Sequence, residues 1–319
     1  MRRLASLFLA GALAFGVTAC GSDSDPGAAK DSYKIGVANF TLGGPYFSGM
    51  DKAIANQAKK KGNIEILTTD ANGDAAKLAS NVEDLLSKNV DAIIISGGPL
   101  ESAPAALAAI KAAGKPVVLV DRKFQTGEYT SWIGPDNEAI GKQDGEFLAQ
   151  RLTKGGKVAI IKGGPADNSI GLARTNGVKA ALQGKAGITL VEAPGFGGWS
   201  SDGGLTVMES LLASHPDLVA VFCENDAMCL GAQRAIADAK KTAQIVIAGV
   251  DGQTEALKAI SDGTNYLVTG LNDADIIGAK GLDRAVEILG GATPEKDTVV
   301  DSPMVTKENA KQYMDRGVF

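Results

Sequence analysis

The hexapeptide Val117-Val118-Leu119-Val120-Asp121-Arg122 decides how the rest of the chain is read. Four apolar, mostly β-branched residues make a short buried strand. Asp121 and Arg122 follow at its carboxyl end, where an open parallel sheet presents groups to a ligand. A carboxylate and a guanidinium supply acceptors and donors suited to a molecule covered in hydroxyls. On one strand alone the same pair reads as a solvated surface pair, so the question is whether the pattern recurs.

It recurs in both halves of the chain. Working outward, strands are predicted over Tyr33–Asn39, Glu65–Thr69, Ala92–Ser96 and Ser131–Gly134, with helices over Pro45–Lys61, Ala75–Lys88 and Ala103–Ala113 between them. The helices are read from apolar residues at helical spacing, as in Leu78, Val82, Leu85 and Leu86. The series then restarts. Helices over Asn137–Leu152, Ser169–Leu182, Leu205–Ser214, Ala227–Ala239, Glu255–Asp262 and Ala274–Leu289 interleave with strands over Lys157–Ile161, Ile188–Ala193, Ala220–Cys223, Val246–Val250 and Leu267–Gly270. Val299–Val305 reads as extended and Lys307–Met314 as a short closing helix. Alternating strand and helix means parallel sheets covered by helices on both faces. The fold class is therefore α/β, with two doubly wound lobes. Gly134-Pro135, Gly270 and Ser302-Pro303 are the places where the chain can cross between them.

Several strands end in polar residues on one predicted edge: Asn39, Ser96 and Asp121-Arg122 in the first half, Lys162, Asn225-Asp226 and Asp251 in the second. Two such edges facing each other would enclose a cleft lined with Asp, Asn and Arg. Tyr46 and Phe47 open a helix after Leu42-Gly43-Gly44-Pro45. Trp199 follows Gly195-Phe196-Gly197-Gly198, a loop with little local core to pack into. A flat ring suits the C–H face of a carbohydrate; the alternative is a Trp that staples the loop to its own lobe.

Composition narrows the classes further. The chain has 319 residues, 45% hydrophobic and 22% charged, enough for two ordinary domains. A net charge of −5 argues against nucleic acid as a partner. His215 is the only histidine and stands without a Cys or carboxylate at ligand spacing, so no metal and no cofactor is expected. There is no phosphate-binding G-x-x-x-x-G-K-[ST] loop and no G-x-S-x-G elbow. Asp121 and Asp251 could be drawn as a glycosidase pair. Arg122 and Arg174 would tend to keep both ionised, which argues against it.

Residues 1–19 have a basic start and an apolar run, a signal peptide too short to read as a membrane span. Val17-Thr18-Ala19-Cys20 resembles a lipobox, which implies that Cys20 is the lipidated mature N-terminus and that 20–31 is a flexible tether. Cys223 and Cys229 remain. Outside the cytoplasm a disulfide is allowed, but a strand end and the next helix are expected to hold the two too far apart. Two buried free thiols are the favoured expectation.

The motifs Gly44–Phe47 (G-P-Y-F), Leu119–Arg122 (L-V-D-R), Gly171–Gly177 (G-L-A-R-T-N-G), Leu205–Asp217, Val221–Ala232 (V-F-C-E-N-D-A-M-C-L-G-A), Gly249–Gly252 (G-V-D-G) and Ile276–Gly281 occur in one order. In that order they resemble the ribose-binding family, the type I substrate-binding proteins of ABC importers, over Ser32 to about Val305. The resemblance implies two lobes joined by three hinge crossovers, 32–134 plus 273–302 and 135–272 plus 303–319, closing on one sugar. By position, Asp121 and Arg122 would grip hydroxyls from the first lobe. Arg174, Asn225, Asp251 and Asn272 would grip from the second lobe or hinge, and Tyr46, Phe47 and Trp199 would stack on the ligand. Asn272 stands where ribose binders usually have Gln. Gly44 replaces an Asn, and Phe40 replaces a small polar residue. Those departures point to a sugar or sugar alcohol of four to six carbons rather than necessarily ribose. The implied partners are that small molecule, an ABC permease and the outer face of the cell membrane through the lipid anchor, with the chain a monomer. A sugar-sensing receptor module remains the alternative.

Overall fold

The computed structural model describes residues 32–97, 104–124, 129–165 and 169–314. The expected signal peptide, Cys20 and tether lie outside them. Among the described residues, twelve strands form two six-stranded sheets.

The first sheet contains β1 (Tyr33–Asn39), β2 (Ile64–Asp70), β3 (Ala92–Ser96), β4 (Val117–Val120), β5 (Ser131–Pro135) and β11 (Asp297–Val300), in the order β11-β5-β4-β3-β1-β2. Every pairing in it is parallel. The second contains β6 (Gly156–Lys162), β7 (Ile188–Phe196), β8 (Leu218–Cys223), β9 (Val246–Asp251), β10 (Tyr266–Leu271) and β12 (Met304–Thr306), in the order β12-β10-β9-β8-β6-β7. Its pairings are parallel except for β12, which lies antiparallel on β10. The chain passes from one sheet to the other after Pro135, after Leu271 and between Val300 and Met304.

Val117–Val120 is buried throughout, as are the five residues of β3. Such fully apolar strands are stable only when both faces are covered, and each buried Val, Leu or Ile contributes roughly 1.5–3 kcal/mol. Helices α1 (Pro45–Lys61) and α9 (Ala274–Leu289) close one face of the first sheet over Ile35, Val37, Ile94 and Val120. On the other face, α2 (Ala75–Ser87) and α3 (Pro104–Ala112) cover Ile93, Ile95 and Leu119. In the second sheet α4 (Asn137–Arg151) and α5 (Ile170–Leu182) cover Val158, Ile160 and Phe222. The opposite face carries α6 (Ser201–Ser214), α7 (Asp226–Asp238) and α8 (Thr254–Ser261) over Ile161, Val221 and Ile247.

Three expectations change. Val299–Val305 is not one extended element: it splits into β11 and β12, which belong to different sheets. The closing helix shrinks to a 3₁₀ turn, Ala310–Gln312. Cys223 and Cys229 are not free thiols but a disulfide with a Cα–Cα separation of 5.4 Å. Asn225 caps α7 by accepting the Met228 N–H at 3.0 Å, so the chain reverses within two residues of β8. Cys229 then sits in the first helical turn, and helical Cβ atoms lean back toward the N-terminus, here toward the strand end.

α4 and α5 touch backbone to backbone. A Cβ on Gly177 would lie 2.2 Å from the Glu138 carbonyl oxygen, and one on Gly141 would lie 2.0 Å from that of Arg174. Gly177→Ala must push the two helices apart. It is expected to cost about 1–3 kcal/mol, read as a lower urea midpoint at an unchanged slope. An unchanged midpoint would show that the contact yields freely.

Candidate ligand site

The carboxyl ends of the two sheets carry the polar residues singled out above. Asp121 follows β4 with φ +68°, and Asp251 ends β9 with φ +121°. Trp199 also has a positive φ, +59°. Three of the six non-glycine residues with positive φ among those described are therefore candidate ligand residues. Such backbone persists only where the surroundings enforce it. At Asp121 they do: its carbonyl accepts the Trp132 indole N–H at 3.1 Å, and its N–H donates to Ile133 O at 2.9 Å.

A guanidinium lies at the centre of the site. Arg174, on α5, is buried; its Nη1 donates to the Glu224 carbonyl at 2.6 Å and lies 3.1 Å from Asp251 Oδ1. Its Nε donates to Asn137 Oδ1 at 2.8 Å, at the start of α4. Asn272, in the crossing between β10 and α9, bridges the two carboxylates. Its Nδ2 lies 3.4 Å from Asp251 Oδ1 and 3.5 Å from Asp121 Oδ1, while its own Oδ1 is buried without a hydrogen-bond partner. Tyr46 donates its hydroxyl to Asp121 Oδ1 at 3.0 Å. Arg122 Nη1 donates to Ser169 Oγ at 2.7 Å, a direct bond between the lobes.

The rings flank this cluster unevenly. Tyr46 and Phe47 meet edge to face, centroids 5.4 Å apart. Phe47 lies over Gly97 at the end of β3, where a Cβ would be 2.6 Å from Cε1. Trp199 is not short of packing, contrary to the expectation from its loop. The ring lies against Gly163, where a Cβ would sit 2.0 Å from Cε2, and it packs on the α6–α7 core while staying half-buried. Asn225 Nδ2 holds the Trp199 carbonyl at 3.3 Å. Trp199 thus is stapled to its own lobe and keeps part of its surface free. Phe40 packs, half-buried, against the α2–α3 core.

Sequence reading did not single out Asn137, Ser169 and Glu224 as site residues. Glu224 stands inside the quoted motif V-F-C-E-N-D. It is buried, and its carboxylate accepts the Gly163 N–H at 2.7 Å and the Thr175 hydroxyl at 2.6 Å. Its place between Cys223 and Asn225 was the available signal. Asn137 and Ser169 sit at helix starts, where Asn and Ser read as ordinary capping residues.

Burial dominates the electrostatics. It raises the Asp251 carboxyl to about 7 against the pull of Arg174, with the Asp226 and Asp121 charges adding to the rise. It also raises Asp121 against Arg174 and Arg122, and lifts Tyr46 well above the usual phenol range. Both carboxyls are thus shifted upward in the ligand-free site, the opposite of the direction that the neighbouring arginines led the sequence reading to expect. Desolvation outweighs them. Among the described residues no group of three or more His, Cys, Asp or Glu is placed to hold a metal ion.

This arrangement offers hydroxyl acceptors, guanidinium donors and aromatic faces at a junction of two lobes. The profile of the periplasmic binding protein domain matches residues 35–293. The ribose import binding protein RbsB of Bacillus subtilis is 34% identical over 267 residues, covering 84% of this chain and 85% of the relative. The xylitol-binding protein of Mycolicibacterium smegmatis is 30% identical over 308 residues, 96% of this chain and 86% of its own. A crystal structure of an ABC transporter solute binding protein from Mycobacterium smegmatis with bound glycerol superposes with a TM-score of 0.84 at 32% identity, covering 90% of this chain and 99% of the other. One from Bacillus halodurans with bound myo-inositol also gives 0.84, at 28% identity, covering 91% and 99%. With a family profile across most of its length and relatives matched nearly end to end, the chain belongs to the periplasmic binding protein domain family.

Proposed function

We propose that this protein is the solute-binding component of an ABC importer and captures a small sugar or sugar alcohol of four to six carbons between its lobes. The observation that carries the reading is the cluster of Asp121, Arg122, Arg174, Asp251 and Asn272, drawn from both sheets and the crossing between them. A ligand bonded to both sides favours the closed form, so closure is an open–closed equilibrium shifted by differential contacts. Ribose, xylitol, allose and myo-inositol appear in the names of its relatives and neighbours, which supports a polyhydroxylated ligand without choosing one. Family members are solute-binding proteins rather than enzymes and work outside the cytoplasm. Lipid anchoring at Cys20, delivery to a permease and a monomeric state complete the proposal. A receptor role would use the same site.

The test is a thermal-shift screen of the unlipidated chain from Gly21 against pentoses, hexoses, tetritols, pentitols and hexitols. At 100 times its Kd a ligand adds about 2.7 kcal/mol, a shift of several degrees. Asp121→Ala should remove the shift while leaving the ligand-free midpoint close to that of the wild type. A panel without any hit, on protein unfolded and refolded to strip carried ligand, would overturn the sugar reading.

Ligand hydroxyls donate to carboxylates, so binding favours ionised Asp251, whose ligand-free carboxyl holds its proton up to about 7. Affinity should therefore rise with pH between about 5 and 7 and level off above, with proton release on binding at pH 6. The sign for folding is opposite. The unfolded carboxyl ionises near 4, so this group's contribution to stability falls as pH rises from about 4 to 7. Calorimetric titrations in buffers of different ionisation enthalpy would expose a pH-flat affinity, which would sink the assignment of Asp251 as an acceptor. Cys20→Ser should move the protein from the membrane fraction to the soluble one; retention in the membrane would refute the anchor.

A further inference from the structure

We propose that the Cys223–Cys229 disulfide positions the ligand site, by clamping a turn that helps to hold Arg174, Trp199 and Asp251 in the second lobe. The proposal rests on the solute-binding reading above for its affinity arm only.

The disulfide closes a segment of seven residues, Cys223 to Cys229, running from the end of β8 into the first turn of α7. Three consecutive residues inside it each hold a different part of the site. The Glu224 carbonyl accepts from Arg174 Nη1 at 2.6 Å, and its carboxylate fixes the Gly163 N–H, against which Trp199 lies. Asn225 ties down the Trp199 carbonyl and caps α7. Asp226 Oδ2 accepts the N–H groups of Gly252 and Gln253, both at 2.8 Å, and so fixes the turn that follows Asp251. Its Oδ1 takes the Tyr266 hydroxyl at 2.5 Å and that of Thr269 at 2.8 Å. Arg174, Trp199 and Asp251 thus share one mounting, and the covalent bond spans it from end to end.

A cross-link around so few residues restrains the unfolded chain less than one around a long loop would. Its larger effect is local. It fixes the angle at which α7 leaves β8, and with it the directions of Glu224, Asn225 and Asp226. Both sulfurs are buried, so the bond serves as a permanent brace rather than an exposed reactive group.

The experiment compares the oxidised wild-type chain from Gly21 with Cys223→Ala/Cys229→Ala and with Cys223→Val/Cys229→Ala, which refills part of the lost volume. Amide hydrogen exchange is followed without ligand at a temperature where all three are folded. The amides of Gly163, Gly252 and Gln253 should exchange about tenfold or more faster in both variants, while those of β1, β3 and β4 keep their rates, because local opening is uncoupled from the global one. D-ribose and xylitol are the affinity probes, and a probe that binds wild type should bind both variants about 5-fold or more weakly. Wild type alone gives a further check that needs no variant to fold. Dithiothreitol donates two electrons and two protons, opening the bond to two thiols and closing itself to a cyclic disulfide. By reciprocity, saturating probe must shift that equilibrium toward the protein disulfide by the factor by which it binds the oxidised chain more tightly than the reduced one. Uniformly faster exchange throughout the chain, or unchanged affinity and an unshifted dithiol equilibrium, would reduce the disulfide to a general brace and overturn the proposal. If neither probe binds wild type, the solute reading is at issue, and the exchange pattern still decides this one.

Discussion

The ion pair between Arg174 and Asp251, 3.1 Å long and almost closed to water, is the constraint around which the second lobe is arranged. Burying two charges costs several kcal/mol per ion, and their mutual attraction repays it only if the remaining donors and acceptors are filled. The structure fills them from three directions: the Glu224 carbonyl, Asn137 and Asn272. A pair of this kind is weak as a source of stability. Its use is to keep a guanidinium and a carboxylate aimed at one point without needing water to do so.

That aim depends on backbone contacts far from any ligand. α5 carries Arg174 and lies so close to α4 that Gly141 and Gly177 leave no room for a Cβ. The same contact brings Asn137, at the start of α4, within 2.8 Å of Arg174 Nε. On the first lobe, the Trp132 indole holds Asp121 in its positive φ from a neighbouring strand, and Gly134 passes so close that a Cβ there would meet the Asp121 carbonyl at 2.6 Å. Strain at Asp121 is thus enforced by the close passage of Gly134 and by one indole from the neighbouring strand.

The strands were legible because a parallel sheet covered on both faces turns each one into an apolar run. β1, β3 and β4 begin and end where the residues predict. Polar residues just past those runs marked the candidate site for the same reason. What stayed hidden depends on chain reversal or on contact across lobes. The Cys223–Cys229 bond needs the helical cap at Asn225, whose geometry spacing alone does not fix. Ser302-Pro303 marked the crossing inside Val299–Val305, but the antiparallel seat of β12 on β10 is not in the local pattern, since both halves read alike as extended. The elevated Asp251 carboxyl was misread because proximity of arginines shows in the motifs, whereas depth of burial does not.

The geometry around Asp121 bears on which ligand such a site can prefer. Its Oδ1 already receives the Tyr46 hydroxyl and lies within reach of Asn272, and Asp251 Oδ1 likewise faces Arg174 and Asn272. One oxygen of each carboxylate is therefore committed to the protein. The buried Asn272 Oδ1 adds an acceptor that no protein donor reaches. Gly44, with its Cβ position only in ordinary contact with Phe47, adds no polar group at all. A hydroxyl buried without a partner costs more than a volume left unfilled, so the proposed site would reject a ligand with an unmatched extra hydroxyl more strongly than one that is merely shorter. In the binding mode proposed above, discrimination among small polyols would fall to the Tyr46–Asp121 bond and to Asn272 more than to the aromatic faces, since a ring accepts any C–H surface presented to it.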